Sequence, residues 1–133
     1  MFKAAGRSGG EGRSTKAIGD DAESLALAYL QRQGLALVQR NYRVAGGPHA
    51  RGAEVDLILR ERDGTLAFVE VRTRATTRHG GALASVGGTK QRRIVRAAQH
   101  YLLWLHSLPP CRFDVVAIDA GQIHWVKAAF DAG

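Results

Sequence analysis

An α/β domain with seven elements in the order α-β-β-β-α-β-β is the fold class that the sequence predicts. Three observations carry it. Two segments repeat apolar residues at helical spacing. Five runs have strand length and β-branched or alternating apolar residues. Turn-forming residues punctuate the intervals between them.

The chain opens on a basic stretch, residues 1–18, in which Lys3, Arg7, Arg13 and Lys16 are offset only by Glu11 and glycines recur. This composition predicts a flexible tail. Residues 19–133 then read as a single domain. Asp20 is a good N-cap, and Glu23 three residues later makes a variant capping box. Ala22, Leu25, Ala26 and Tyr29 repeat at helical spacing, and Gly34 supplies the stop.

Leu35 to Val44 reads as the first strand, with Leu35, Leu37 and Tyr42 as its apolar positions, and Gly46-Gly47-Pro48 breaks it. Glu54 to Arg60 and Leu66 to Thr73 flank the turn dipeptide Asp63-Gly64 and predict a hairpin. Residues 75–88 are glycine-rich and aperiodic. A long helix follows from Thr89 to His106, with Ile94, Ala97, Ala98, Tyr101, Leu102 and Leu105 as its apolar stripe. Pro109-Pro110 ends it. Phe113 to Ile118 and Gln122 to Val126 are the last strands, joined around Asp119-Ala120-Gly121.

Charge and composition bound the function classes. Lys and Arg number 19 against 12 Asp and Glu, a net +7 that points to a polyanionic partner. No apolar run approaches the ~20 residues of a membrane span, and the N-terminus lacks a secretory apolar region. Cys111 is the lone cysteine, so no internal disulfide forms and a reducing compartment is indicated. The expectation is a cytoplasmic protein.

The hairpin carries the unusual chemistry. In Glu54-Val55-Asp56-Leu57-Ile58 the carboxylates are two residues apart, which puts Glu54 and Asp56 on one strand face and Val55, Leu57 and Leu59 on the other. In Phe68-Val69-Glu70-Val71-Arg72 the same alternation pairs Glu70 with Arg72 and turns Val69 and Val71 into a core. If the charged faces meet, Asp56 and Glu70 converge, and a divalent cation relieves their repulsion and desolvation. Hard oxygen ligands suit Mg²⁺ or Mn²⁺. An amphipathic hairpin with solvated charges and cross-strand ion pairs fits the same spacing.

Five strings occur in order: Gly19-x-x-x-Glu23-x-x-Ala26-x-x-Tyr29-Leu30, Arg40-Asn41-Tyr42-Arg43, Glu54-Val55-Asp56-Leu57-Ile58, Phe68-Val69-Glu70-Val71-Arg72-x-Arg74 and Arg112-Phe113-Asp114-Val115-Val116. Over residues 18 to 130 the chain therefore resembles the YraN family of small bacterial proteins, described as candidate endonucleases. That family lies in the PD-(D/E)xK nuclease superfamily, to which archaeal Holliday-junction resolvases are similar.

The resemblance implies a restriction-endonuclease-like core, a mixed β-sheet flanked by helices. It implies that Asp56, Glu70 and the Val71 backbone carbonyl hold the metal, with Glu23 completing the acidic cluster. The Lys of the superfamily signature is Arg72 here, a variant that also occurs within the YraN family. Arginine cannot give up its proton, so Arg72 clamps phosphate and water activation falls to the metal. Ala53 stands where the family has glycine, and the loop Gly46-Gly47-Pro48-His49-Ala50 is longer than the pattern.

Between strand and helix, Arg74, Arg78 and Lys90 form a phosphate-contacting segment by the same resemblance. A solvated basic linker accounts for them equally well. His49, His79, His100, His106 and His124 have no spacing suited to zinc. Trp104 and Trp125 read as core or rim residues in preference to base-stacking platforms.

The leading expectation is a Mg²⁺- or Mn²⁺-dependent endonuclease hydrolysing phosphodiester bonds of DNA, branched or structured DNA being the favoured substrate. Glu23, Asp56, Glu70 and Arg72 are its catalytic set, and Arg74, Arg78 and Lys90 bind nucleic acid. By analogy with resolvases it acts as a homodimer, and no membrane is involved. The alternatives are a catalytically silent nucleic-acid-binding module with a nuclease fold and a basic protein that docks on a ribonucleoprotein.

Overall fold

A computed structural model describes residues 15–48, 51–74 and 86–132. The elements run α1 (Thr15–Arg32), β1 (Ala36–Val44), β2 (Ala53–Arg60), β3 (Leu66–Arg74), α2 (Gly88–Leu102), β4 (Cys111–Asp119) and β5 (Gln122–Phe130). The strands form one mixed sheet in the order β1-β2-β3-β4-β5. All neighbours are antiparallel except β3 and β4, which the α2 crossover makes parallel. This is the predicted order and a mixed sheet flanked by two helices.

The two helices cover opposite faces. Ala22, Ala26 and Leu30 of α1 pack on Leu57, Leu59, Ala67, Val69, Val116 and Ile118. Ile94, Ala97 and Ala98 of α2 pack on Val55, Ile58, Leu66, Phe68, Phe113 and Val115. Central β3 is therefore buried on both sides from Leu66 to Glu70, which is why it reads as a nearly unbroken apolar run. Val71 leans on the α1-side core. Each fully buried large side chain, such as Phe68 or Leu30, contributes about 1.5–3 kcal/mol of transfer free energy.

Turn chemistry works as expected. Gly64 takes φ +93° in the β2–β3 turn, and Asp63 Oδ1 accepts the Thr65 N–H at 2.9 Å. Ala120 and Gly121 both have positive φ, which lets two residues close the β4–β5 hairpin.

Four local readings are corrected. Helix α1 begins at Thr15, inside the stretch read as tail, so Asp20 is not an N-cap and Glu23 belongs to no capping box. Helix α2 stops at Leu102, and the chain continues in turns before the Pro109-Pro110 pair. Leu37 lies outward, because a register shift between Leu37 and Gln39 lets Val38 pack inward. Alternation along β2 breaks at Asp56: Val55 joins the α2-side core while Leu57 and Leu59 join the α1-side core. Strict period-two reasoning is blind to such a slip.

Candidate functional site

The slip in β2 builds the site. The β2–β3 ladder runs from Arg60–Leu66 to Leu57–Val69 and goes no further. At the next position Asp56 Oδ2 accepts the Val71 N–H at 2.8 Å, so a side chain replaces the neighbouring strand as partner. Across β2, the β1 register passes from Arg40–Leu57 to Tyr42–Val55, and the intervening Asn41 adopts φ +52°. Asparagine tolerates that left-handed geometry better than most residues.

Asp56 is 7% exposed and Glu70 is 2% exposed, so both predicted metal-site carboxylates are buried. They face each other closely enough for their charges to interact strongly. Desolvation by burial, then repulsion from Glu70, pushes the Asp56 carboxyl up to about 7. Glu70 Oε2 takes Arg72 Nη1 at 3.3 Å and Lys90 Nζ at 3.6 Å. Glu70 Oε1 is buried and has no hydrogen-bond partner among the described residues. A buried carboxylate oxygen without a donor, beside a second buried carboxyl, fits a divalent cation by its charge and oxygen chemistry.

Glu23 sits at the edge of this pair. It is half-buried on α1 and its Oε1 lies 3.6 Å from Arg40 Nη2. Burial and the Asp56 charge raise its pKa, while a hydrogen bond from Asn41 and the Arg40 charge oppose the rise. Among the described residues no three His, Cys, Asp or Glu side chains gather into a set able to hold one ion. The pair Asp56–Glu70 with the Val71 peptide is thus the compact unit, and Glu23 is its electrostatic neighbour. Glu54 diverges from Asp56, forming an ion pair with Arg43 at 3.5 Å. A shallow cleft lined by Gly19, Asp20, Glu23, Asn41, Arg43 and Glu54 opens on that side.

Of the predicted phosphate-contacting residues, Lys90 comes from the first turn of α2 to the Glu70 carboxylate. Arg74 ends β3, but its side chain lies outside the described residues, as does the whole of Arg78. Arg40 and Asn41 carry no predicted role, yet they hold Glu23. Their signal is present only in the string Arg40-Asn41-Tyr42-Arg43, because no periodicity distinguishes them.

Asp114 is a second unpredicted centre. Fully buried on β4, it accepts Arg112 Nε on both carboxylate oxygens at 2.9 and 3.0 Å, the Trp125 indole N–H at 3.0 Å and the Ala128 N–H at 3.0 Å. Ala128 has φ +51° beside the β4–β5 register shift, so Asp114 fastens a bulge. Arg112 also pairs with Glu61.

Fold and site together define the class of protein: a restriction-endonuclease-like α/β core with two buried carboxylates where its central hairpin splays. The chain belongs to the family described as Uncharacterised protein family UPF0102, which matches residues 22–118 and is the YraN family. It is 69% identical over 119 residues to the UPF0102 protein of Methylibium petroleiphilum, covering 90% of this chain and 98% of that relative. The UPF0102 protein of Acidovorax sp. is 58% identical over 120 residues, covering 90% and 89%. That of Albidiferax ferrireducens is 56% identical over 119 residues, covering 90% and 91%. No helix among the described residues is long and apolar enough to cross a membrane.

Proposed function

We propose that this protein is a divalent-metal-dependent endonuclease that hydrolyses phosphodiester bonds of DNA, with branched or structured DNA as substrate. The carrying observation is the buried Asp56–Glu70 pair beside the cations Arg72 and Lys90. Carboxylates repel a phosphate, so a site built only to grip nucleic acid has no use for them next to its cations.

In this reading Asp56, Glu70 and the Val71 carbonyl hold Mg²⁺ or Mn²⁺. The bound ion supplies Lewis acidity at the phosphoryl group and eases water activation at neutral pH. Arg72 orients the scissile phosphate with a charge that it cannot lose. Lys90 balances Glu70 and adds a second positive charge for the phosphate. Glu23 raises the negative potential at Asp56 and so favours a cation there. Arg74 and Arg78 extend the phosphate contacts, and a homodimer gives paired cuts. The lone Cys111 is consistent with action in the cytoplasm.

The test is a panel of branched, flapped, single-stranded and duplex DNA with Mg²⁺ or Mn²⁺, using wild type and Asp56→Asn. Cleavage that the substitution removes supports the reading. No cleavage by wild type, together with no Mg²⁺ or Mn²⁺ heat of binding, overturns it in favour of a binding module.

A further inference from the structure

Trp104 is 74% exposed, although its position beside the α2 stripe predicts a core or rim residue. It is nevertheless held. Its indole N–H donates to the Tyr42 hydroxyl at 3.3 Å, and that hydroxyl lies 2.6 Å from His100 Nδ1. Tyr42 in turn meets Tyr101 edge to face. The Trp104 peptide N–H closes a last turn onto Tyr101 O at 3.0 Å. A large ring anchored at its polar edge and bare elsewhere costs little further entropy when a flat partner stacks on it.

The surroundings are cationic. Helix α2 contains no Asp or Glu. Arg93, Arg96 and His100 follow one another at spacings of three and four, which aligns them along one face of α2, and Trp104 stands in the turn just past the helix end. Arg93 Nε donates to Gly52 O at 3.0 Å and Arg96 Nη2 to the Arg51 backbone O at 2.8 Å, which fixes both guanidinium groups. Lys90, at the Glu70 end of α2, precedes Trp104 by fourteen residues. At the helical rise the twelve steps from Lys90 to the helix end at Leu102 span about 18 Å, or roughly five stacked nucleotides.

We infer that Trp104 is a stacking platform for an unpaired base, and that the α2 strip of Arg93, Arg96 and His100 carries the single strand between it and the Asp56–Glu70 pair. The substrate class this selects is DNA with a single-stranded arm or flap, not a blunt duplex whose bases are already stacked. The assignment of a scissile end to the strip rests on the nuclease reading; the stacking itself does not. Charge favours this occupant over a second protein copy. A duplicate of this chain would bring the same cationic strip against itself, although Leu103 and Leu108 are also exposed nearby in sequence.

The experiment titrates the full chain in EDTA with twelve-residue oligothymidine and with a blunt twelve-pair duplex, following tryptophan emission and anisotropy of labelled DNA. Oligothymidine is expected to quench emission in wild type, and Trp104→Phe is expected to remove most of the quench, leaving Trp125 as reporter. Trp104→Ala should weaken single-strand affinity about tenfold and leave duplex affinity within about twofold. Trp104→Phe should retain most of the affinity, and Tyr42→Phe, which unties the ring, should lose a few-fold. Wild-type quenching that persists in Trp104→Phe overturns the inference, as does an equal loss on both DNAs. So does a sedimentation shift from dimer to monomer in Trp104→Ala with DNA affinity unchanged, which makes the ring part of a self-association face. Because EDTA excludes cleavage, Trp104-dependent binding without any Mg²⁺-supported cutting sinks the nuclease reading alone. Asp56-dependent cutting without Trp104-dependent binding sinks this inference alone.

Discussion

Two buried aspartates on the same sheet have opposite surroundings. Asp114 is closed off: Arg112, the Trp125 indole and the Ala128 peptide donate to its two oxygens. Asp56 receives one peptide N–H, from Val71, and otherwise faces a second carboxylate. At the first site the fold neutralises a buried charge with donors of its own. At the second it leaves two facing carboxyl groups and, among the described residues, an unpartnered Glu70 oxygen for something else to satisfy. Burial of an acid is therefore uninformative here, and the completeness of its hydrogen bonding is what separates a structural carboxylate from a candidate functional one.

The sharpest break between the two sites is in activity. Asp56→Asn should lower cleavage by at least about 10²-fold. It should leave the fold intact, since an amide oxygen can still accept the Val71 N–H. A circular dichroism melt beside the cleavage assay checks both halves. Asp114→Asn should do the reverse, costing about 3–5 kcal/mol in urea denaturation by leaving Arg112 partly uncompensated. An Asp114 variant as stable as wild type would erase the proposed contrast.

The pH dependence follows from the raised Asp56 pKa. An acid held near 7 in the folded state, against its ordinary 3.8, binds its proton more tightly folded than unfolded. Its effect on stability is therefore absent at low pH and becomes increasingly unfavourable as pH rises from about 4 to 7. Above pH 7 the penalty is at most about 4 kcal/mol. In EDTA, the stability advantage of Asp56→Asn over wild type should grow across this window. Mg²⁺ affinity of wild type, followed by calorimetry, should strengthen as pH rises through 7, because proton and cation compete for the same carboxylate.

Smaller effects refine the roles of the cations. Arg72→Lys should reduce cleavage about tenfold, since charge remains but the planar pair of donors is lost. A larger loss than for Lys90→Ala would make Arg72 the principal phosphate contact. The logarithmic salt slope of DNA binding should fall by about one unit for each of Arg74, Arg78 and Lys90 neutralised. A slope unchanged in the triple variant would make this segment a linker.

Much of this architecture is legible in the sequence because its signals are local. The Ile94, Ala97, Ala98 stripe, the Gly64 turn and the apolar run of β3 each encode geometry within a few residues. The Asp56 and Glu70 convergence is also readable, though only with the ordered motifs that set this hairpin apart from an ordinary amphipathic one. What escaped was the start of α1. Asp20 has good capping chemistry, but the helix already runs through it from Thr15. Propensity at one position does not outweigh continuation of a helix that is already nucleated.

The sequence by itself determined the element order, the packed face of α2, the turns and the pairing of acidic with basic residues on one hairpin, while on α1 it placed the exposed Leu25 in the apolar stripe. Each depends on side-chain periodicity or on backbone preferences at single residues. Only the tertiary structure decided where β2 loses its alternation, which acid is satisfied and which is not, and that Trp104 stands outward on a hydrogen bond to Tyr42 of β1. These are outcomes of competition among groups distant in the chain: Asp56 with the β2–β3 ladder, Arg112 with Glu61 and Asp114, Trp104 with Tyr42 and His100. A buried polar group takes whichever partner three-dimensional packing brings within about 3 Å, and sequence separation says nothing about that distance.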